Sequence, residues 1–125
     1  MDKPKILIAE DEKALLDLYK LRFEYESCSV LFAQNGEEAL NLAKKEKPDL
    51  ILLDVMMPKK SGMEVLKELK NDSSTSKIPV IVLTALFQEN IKEEALKIGA
   101  NDYLVKSHSS PSEVVRVVKE KLGLE

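Results

Sequence analysis

The sequence has little of what marks secreted, membrane or nucleic-acid-binding proteins. Its one cysteine, Cys28, cannot form an intramolecular disulfide, so a reducing cytoplasm is the expected compartment. No apolar run approaches the roughly 20 residues of a membrane helix. The first apolar run, residues 6–9, ends in three acidic residues, unlike a signal peptide. Lys and Arg number 19 against 22 Asp and Glu. Neither a membrane nor direct nucleic acid is therefore expected as a partner.

Glycine and proline are also scarce, at 4 and 5 residues, which excludes a collagen-like chain and argues against disorder. Apolar residues make up 44% and charged residues 33%, as is typical of a soluble globular domain. A chain of this length buries roughly two thirds of the surface that its unfolded form exposes, enough for one core. We find no repeat, low-complexity tract or linker. Residues 1–125 are therefore predicted to form one domain.

Five short apolar segments predict strands. They are Lys5–Ala9, Ser29–Ala33, Leu50–Leu53, Val80–Leu83 and Tyr103–Val105. Three of the five are continuous apolar runs rather than alternating ones. Such runs are typical of parallel strands that helices cover on both faces.

Helix-length segments separate these strands. In the first, Lys13–Tyr25, the spacing predicts a buried stripe made of Leu15, Leu18, Tyr19 and Arg22, the last through its alkyl stem. Asn35 and Ser110 are predicted N-caps of the second and fifth helices. Gly99 stands where a glycine would end the fourth helix.

The predicted element order is βαβαβαβαβα, with a spacing typical of right-handed βαβ units. We therefore predict an α/β fold: a single doubly wound (βα)5 domain. Its five-stranded parallel sheet carries helices on both faces, with the flavodoxin-like strand order 2-1-3-4-5.

Polar side chains follow four of the five predicted strands. Glu10 and Asp11 follow the first, Asp54 the third, Thr84 the fourth and Lys106 the fifth. Sites in open α/β sheets lie outside the carboxyl ends of the strands, so these side chains are expected to converge. Three carboxylates repel one another and require a hard cation, and Mg²⁺ suits them. A carboxylate beside Mg²⁺ can attack a phosphoryl group, while a hydroxyl and an ammonium bind its oxygens.

Through these residues and their spacing, the sequence closely resembles the receiver domain of two-component response regulators. The matching motifs are Glu10-Asp11, Leu52-Leu53-Asp54-Val55-Met56-Met57-Pro58, Gly62, Thr84-Ala85 and Tyr103-Leu104-Val105-Lys106. The resemblance spans nearly the whole chain, and the combined spacing is far more specific than any single motif.

The resemblance implies a signalling phosphoacceptor rather than an enzyme. Asp54 would accept a phosphoryl group from the phosphohistidine of a sensor histidine kinase or a histidine phosphotransfer protein. Glu10, Asp11, Asp54 and the backbone carbonyl of Met56 would hold Mg²⁺. Slow self-catalysed phosphorylation from small donors, and slow autodephosphorylation, are expected as well.

The resemblance also implies a switch. Thr84 and Lys106 would sense the phosphoryl oxygens, and Tyr103 would turn inward together with Thr84. Met56 and Leu86 would flank the phosphoryl group. The change would appear on the face formed by the fourth helix, fifth strand and fifth helix, where an output partner or effector domain reads it. No effector module follows Leu124, so the chain is either a stand-alone protein or a receiver from a longer regulator.

Two positions depart from the family pattern. Ser107 follows Lys106, where relatives usually have a proline joined through a cis peptide bond. A cis bond before a non-proline residue costs roughly 3–4 kcal/mol, so either the surroundings enforce it or the loop differs. Glu10 stands where many relatives have aspartate, and its longer side chain can contact a metal through water.

Two other function classes fit parts of the pattern. A small Mg²⁺-dependent phosphohydrolase could use Asp54 as nucleophile, but the haloacid-dehalogenase type has a second aspartate where this chain has Met56. A flavodoxin-type module needs a phosphate loop after the first strand, where this chain is acidic, and usually aromatic residues, yet there is no tryptophan. His108 is interpreted as solvated and Cys28 as inert packing.

Overall fold

The computed structural model describes residues 3–85 and 87–124. Strands and helices alternate throughout these ranges, as the sequence predicts. The elements are β1 (Lys5–Ala9), α1 (Lys13–Tyr25), β2 (Ser29–Ala33), α2 (Gly36–Glu46), β3 (Leu50–Asp54), α3 (Gly62–Asn71), β4 (Val80–Thr84), α4 (Glu89–Ile98), β5 (Asp102–Val105) and α5 (Pro111–Leu122).

The five strands form one parallel sheet in the order β2-β1-β3-β4-β5, which confirms the predicted fold class. The central strand β3 lies between β1 and β4. Its register places Leu53 opposite Ala9 and Asp54 opposite Leu83. The residues that follow β1 and those that end β4 are therefore carried to either side of Asp54.

Alternate residues of each strand enter two separate hydrophobic clusters. Ile6 and Ile8 pack with α1 and α5, whereas Leu7 and Ala9 pack with α2, α3 and α4. This alternation follows from the two-residue period of a strand, and both faces of the sheet are buried beneath helices. The long apolar runs in the sequence reflect this double coverage.

The buried stripe of α1 differs from the prediction. Leu16, Tyr19 and Phe23 are buried, whereas Leu18 is 39% exposed and Leu15 is half-buried. The guanidinium group of Arg22, a predicted stripe member, instead donates a hydrogen bond to the hydroxyl of Ser112 on α5. The periodicity of α1 is compatible with more than one stripe, and docking against the sheet and α5 selects between them.

We expect Leu16→Ala to destabilise the protein much more than Leu18→Ala. Leu16 is 3% exposed, so its truncation leaves a cavity that lowers the free energy of unfolding by about 2–5 kcal/mol. The same truncation at the 39% exposed Leu18 should cost under about 1 kcal/mol. Urea unfolding of both variants measures the difference, and equal losses would contradict the observed orientation of α1.

The predicted helix ends are confirmed. The side chain of Asn35 accepts a hydrogen bond from the Glu38 N–H at 2.9 Å, and Ser110 accepts one from Glu113 at 3.2 Å. Gly99 ends α4 with φ of +131°, a backbone conformation that residues other than glycine rarely adopt. These caps are encoded locally, which explains why the sequence predicts them well.

Two minor interpretations are also confirmed: Cys28 is buried in the core and His108 is exposed. Across residues 3–85 and 87–124, every helix falls short of the length and apolar character that crossing a bilayer would require.

Candidate functional site

The carboxyl edge of the sheet brings together three acidic side chains. One carboxylate oxygen from each of Glu10, Asp11 and Asp54 lies within 4.8 Å of the others, and we call these three side chains the acidic cluster. Glu10 and Asp54 are buried, at 1% and 4% exposure, whereas Asp11 is exposed. The predicted convergence of residues from different strands is therefore observed for these carboxylates.

Asp54 is held by the backbone that follows it. Its Oδ1 accepts a hydrogen bond from the Met56 N–H at 3.1 Å, and the Val55 carbonyl accepts one from the Gly62 N–H at 2.8 Å. A Cβ atom on Gly62 would lie 2.7 Å from Val55 Cα and 2.9 Å from the carbonyl carbon of Asp54. Glycine at this position lets α3 begin directly against the backbone of Asp54.

Lys106 places its ammonium group among the carboxylates. Its Nζ is 2.7 Å from Glu10 Oε1, 3.1 Å from Asp54 Oδ2 and 3.8 Å from Glu12 Oε1. Among the described residues, Glu10 Oε1 is buried and has no well-aligned hydrogen bond, so it contacts Lys106 mainly as an ion pair. The Lys106 N–H donates to the Thr84 carbonyl at 2.7 Å, which ties the end of β5 to β4.

The buried charges shift one another's pKa. Burial raises the pKa of Glu10 to about 7, although the Lys106 ammonium and the Glu12 N–H oppose the shift. Burial by itself lowers the pKa of Lys106, but the carboxylates of Glu10 and Asp54 outweigh it and raise that pKa. Two buried carboxylates share one ammonium, so a further cation is electrostatically favoured here.

We expect Glu10 to make the protein less stable as the pH rises, when divalent cations are absent. The pKa of Glu10 is higher in the folded chain, about 7, than its ordinary 4.5, so the folded state binds more protons between these values. The free energy of unfolding should therefore fall through this window by up to about 3 kcal/mol. Urea unfolding at about pH 5 and about pH 8 measures the change.

Glu10→Gln is the matched control for this pH dependence, because it keeps the size of the side chain and removes the titration. The variant should lose most of the decline between the two pH values. An identical decline in wild type and variant would show that other groups cause it.

Thr84 and Tyr103 lie on the opposite face of the sheet from Glu10 and Asp54. Thr84 is buried at the end of β4, and Tyr103 pairs with Val82 one strand across. The Tyr103 ring lies inward, 8% exposed, in the cluster that packs against α4. Burial raises the pKa of Tyr103, with smaller opposing effects from the Thr84 side chain and the Gln88 backbone. The two predicted switch residues are thus neighbours, while their switching stays a prediction.

The donor set suits a hard divalent cation. Three carboxylates supply the oxygen ligands that Mg²⁺ prefers, and the exposure of Asp11 leaves the cluster open to water on one side. The backbone of Met56 lies next to Asp54, and its side chain is 63% exposed. The predicted ligand role of the Met56 carbonyl stays a prediction, and Leu86 falls outside the described residues.

The structure adds site residues that sequence reasoning did not single out. Glu12 donates its N–H to Glu10 Oε2 at 3.1 Å and places its own carboxylate near Lys106. Tyr19, predicted only as a packing residue, lies within electrostatic reach of the site, and burial raises its pKa to about 12. The acidic run could have indicated Glu12, whereas no local signal indicates Tyr19.

The Lys106–Ser107 peptide bond is trans, so the loop differs from the usual family pattern.

Residues 6–119 match the family model described as the response regulator receiver domain. Over 115 residues the chain is 44% identical to the alkaline phosphatase synthesis transcriptional regulatory protein PhoP of Bacillus subtilis, covering 92% of this chain and 47% of that protein. The chain therefore spans about half the length of the curated relatives it matches.

Solved structures show the same similarity. The receiver domain of the Francisella response regulator 1452 superposes with a TM-score of 0.88 at 36% identity, covering 97% of this chain and 98% of that one. The receiver domain of the sensor histidine kinase PA1611 from Pseudomonas aeruginosa has a TM-score of 0.87 at 26% identity, with the same coverage of both chains. That structure has a magnesium ion coordinated in its active site cleft.

Proposed function

Because the chain belongs to the response regulator receiver domain family, we propose that it accepts a phosphoryl group on Asp54 and passes the change to a partner. The convergence of Glu10, Asp11, Asp54 and Lys106 at one end of the sheet carries this proposal. Phosphoryl transfer requires mainly positioning and charge neutralisation, and this group of side chains supplies both.

The donor is a phosphohistidine on a sensor histidine kinase or a histidine phosphotransfer protein. A carboxylate oxygen of Asp54 attacks phosphorus, the phosphorus–nitrogen bond breaks, and its electron pair returns to the imidazole nitrogen. Asp54 Oδ1 is oriented by the Met56 N–H, and Oδ2 faces the Lys106 ammonium. Lys106 and the Thr84 hydroxyl then bind oxygens of the transferred group.

Glu10, Asp11, Asp54 and the backbone carbonyl of Met56 would hold the metal, with Glu10 acting directly or through water. When bound there, Mg²⁺ neutralises negative charge on the phosphoryl oxygens and on the carboxylates. The chain's own contribution is to keep those carboxylates oriented. The Met56 and Glu12 N–H groups bind Asp54 and Glu10 respectively.

The signal leaves the site through Thr84 and Tyr103. A phosphoryl group that attracts the Thr84 hydroxyl changes the packing beside the Tyr103 ring, which lies against the α4 layer. This biases a two-state equilibrium on the α4–β5–α5 face, where an output partner or an attached effector domain reads it. The chain functions in the cytoplasm as a signalling phosphoacceptor, with slow self-catalysed phosphorylation and dephosphorylation.

Intact-protein mass after incubation with acetyl phosphate or phosphoramidate, with and without Mg²⁺, tests the proposal. We expect one added phosphoryl group that requires Mg²⁺ and is released by hydroxylamine, as an acyl phosphate should be. No addition under any condition would overturn the proposal. Sustained turnover of ordinary phosphomonoesters would instead support the phosphohydrolase alternative.

A further inference from the structure

We propose that Gly36, the first residue of α2, is a positioning residue for the loop that follows Asp54. This acceptor loop comprises residues 55–61. It supplies the N–H group that orients Asp54 and the backbone carbonyl that the proposed function assigns to the metal. The expected effect on metal binding rests on the proposed function, whereas the close approach of Gly36 to the loop is a feature of the structure.

Space, rather than backbone conformation, requires glycine at position 36. Among the residues that the structure describes, only Gly99 and Gly123 are glycines with positive φ, so the backbone of Gly36 is open to other residues. A Cβ atom at position 36 would overlap the carbonyl oxygen of Lys60 and lie 2.6 Å from its carbonyl carbon. The N-terminus of α2 therefore sits directly against the backbone of the acceptor loop.

The same stretch of the acceptor loop is strained. Lys59 has φ of +69°, and the Lys60 N–H donates to the Pro58 carbonyl at 2.8 Å, two residues back. Such a tight turn with positive φ at a non-glycine residue is costly and persists only where neighbours enforce it. The Gly36 N–H donates to the same Pro58 carbonyl at 3.3 Å, and the Lys60 ammonium pairs with Glu68 on α3.

Contacts at both ends of the loop transmit the position of this turn to Asp54. At its near end, the Met56 N–H donates to Asp54 Oδ1, and just beyond its far end, the Gly62 N–H donates to the Val55 carbonyl. A side chain at position 36 would push Lys60 away from α2, and the short loop has to absorb that displacement. Small displacements of ligating groups have large effects on binding, so the metal site should lose affinity.

Isothermal titration with MgCl₂ tests the inference on Gly36→Ala. We expect the Mg²⁺ dissociation constant to rise about tenfold or more. The control is Val118→Ala, a destabilising truncation on α5 in a hydrophobic cluster that contains no residue of α2 or of the acceptor loop. Its dissociation constant should stay within about twofold of wild type, because sites that share no partners act independently. Equal constants for wild type and Gly36→Ala would overturn the inference.

Lys59→Gly provides a second variant if Gly36→Ala does not fold. It removes the strain at φ of +69° and frees the turn, so the fold should be kept while the Mg²⁺ constant rises. Amide hydrogen exchange of residues 55–61 without metal should quicken in either variant, and unchanged exchange in both would also overturn the inference. Wild-type protein that neither binds Mg²⁺ nor gains a phosphoryl group would defeat the proposed function, while the exchange result would still decide the role of Gly36.

Discussion

Asp54→Asn is expected to lose phosphoryl uptake from acetyl phosphate, by about a thousandfold or more. Asparagine keeps the shape of the side chain and an oxygen that can accept the Met56 N–H bond at 3.1 Å. It removes the charged oxygen that attacks phosphorus, because an amide oxygen is a far weaker nucleophile than a carboxylate. It also removes one of the three carboxylates that would bind Mg²⁺. Intact-protein mass measured over time gives the rate directly.

Asp17→Asn is the matched control for this prediction. Asp17 is exposed on α1, and among the described residues it pairs only with Lys13, at 2.9 Å, so the same chemical change there leaves the site intact. The control should gain one phosphoryl group at the wild-type rate. Uptake by Asp54→Asn at that rate would place the acceptor on a different residue.

Asp11→Asn is expected to weaken Mg²⁺ binding by about a hundredfold while leaving the metal-free protein at least as stable as wild type. Asp11 is exposed, and with the described residues it makes no hydrogen bond or ion pair that its loss would break. Its carboxylate nevertheless lies in the acidic cluster and contributes a full charge to any bound cation. Thermal unfolding measured over a range of Mg²⁺ concentrations reports both quantities, since a bound ligand stabilises the folded state by mass action.

Glu12→Gln separates a ligand effect from a general loss of negative charge near Asp11. The Glu12 carboxylate is the next acidic group along the chain, but it lies 3.8 Å from Lys106 and outside the acidic cluster. Its removal should change the Mg²⁺ dissociation constant only slightly. Similar losses in both variants would indicate that overall charge, rather than coordination by Asp11, attracts the cation.

Local features of the sequence predicted most of the fold. Continuous apolar runs marked buried parallel strands, and side-chain caps such as Asn35 and Ser110 marked helix starts. Both signals act over a few residues and do not depend on the rest of the chain. The buried stripe of α1 was predicted wrongly at Leu18, because periodicity cannot choose between apolar rows when several are available. The sheet and α5 make that choice.

The positions of Glu10, Asp11, Asp54 and Lys106 along the chain are enough to predict that they meet at the carboxyl edge, since each lies at or just after the end of a parallel strand. How these side chains pair depends on the tertiary fold. It places Lys106 closer to Glu10 than to Asp54, raises the pKa of Glu10 to about 7, and sets Gly36 against Lys60. These contacts join residues distant in the chain, so they depend on strand register and helix packing, which local spacing does not encode.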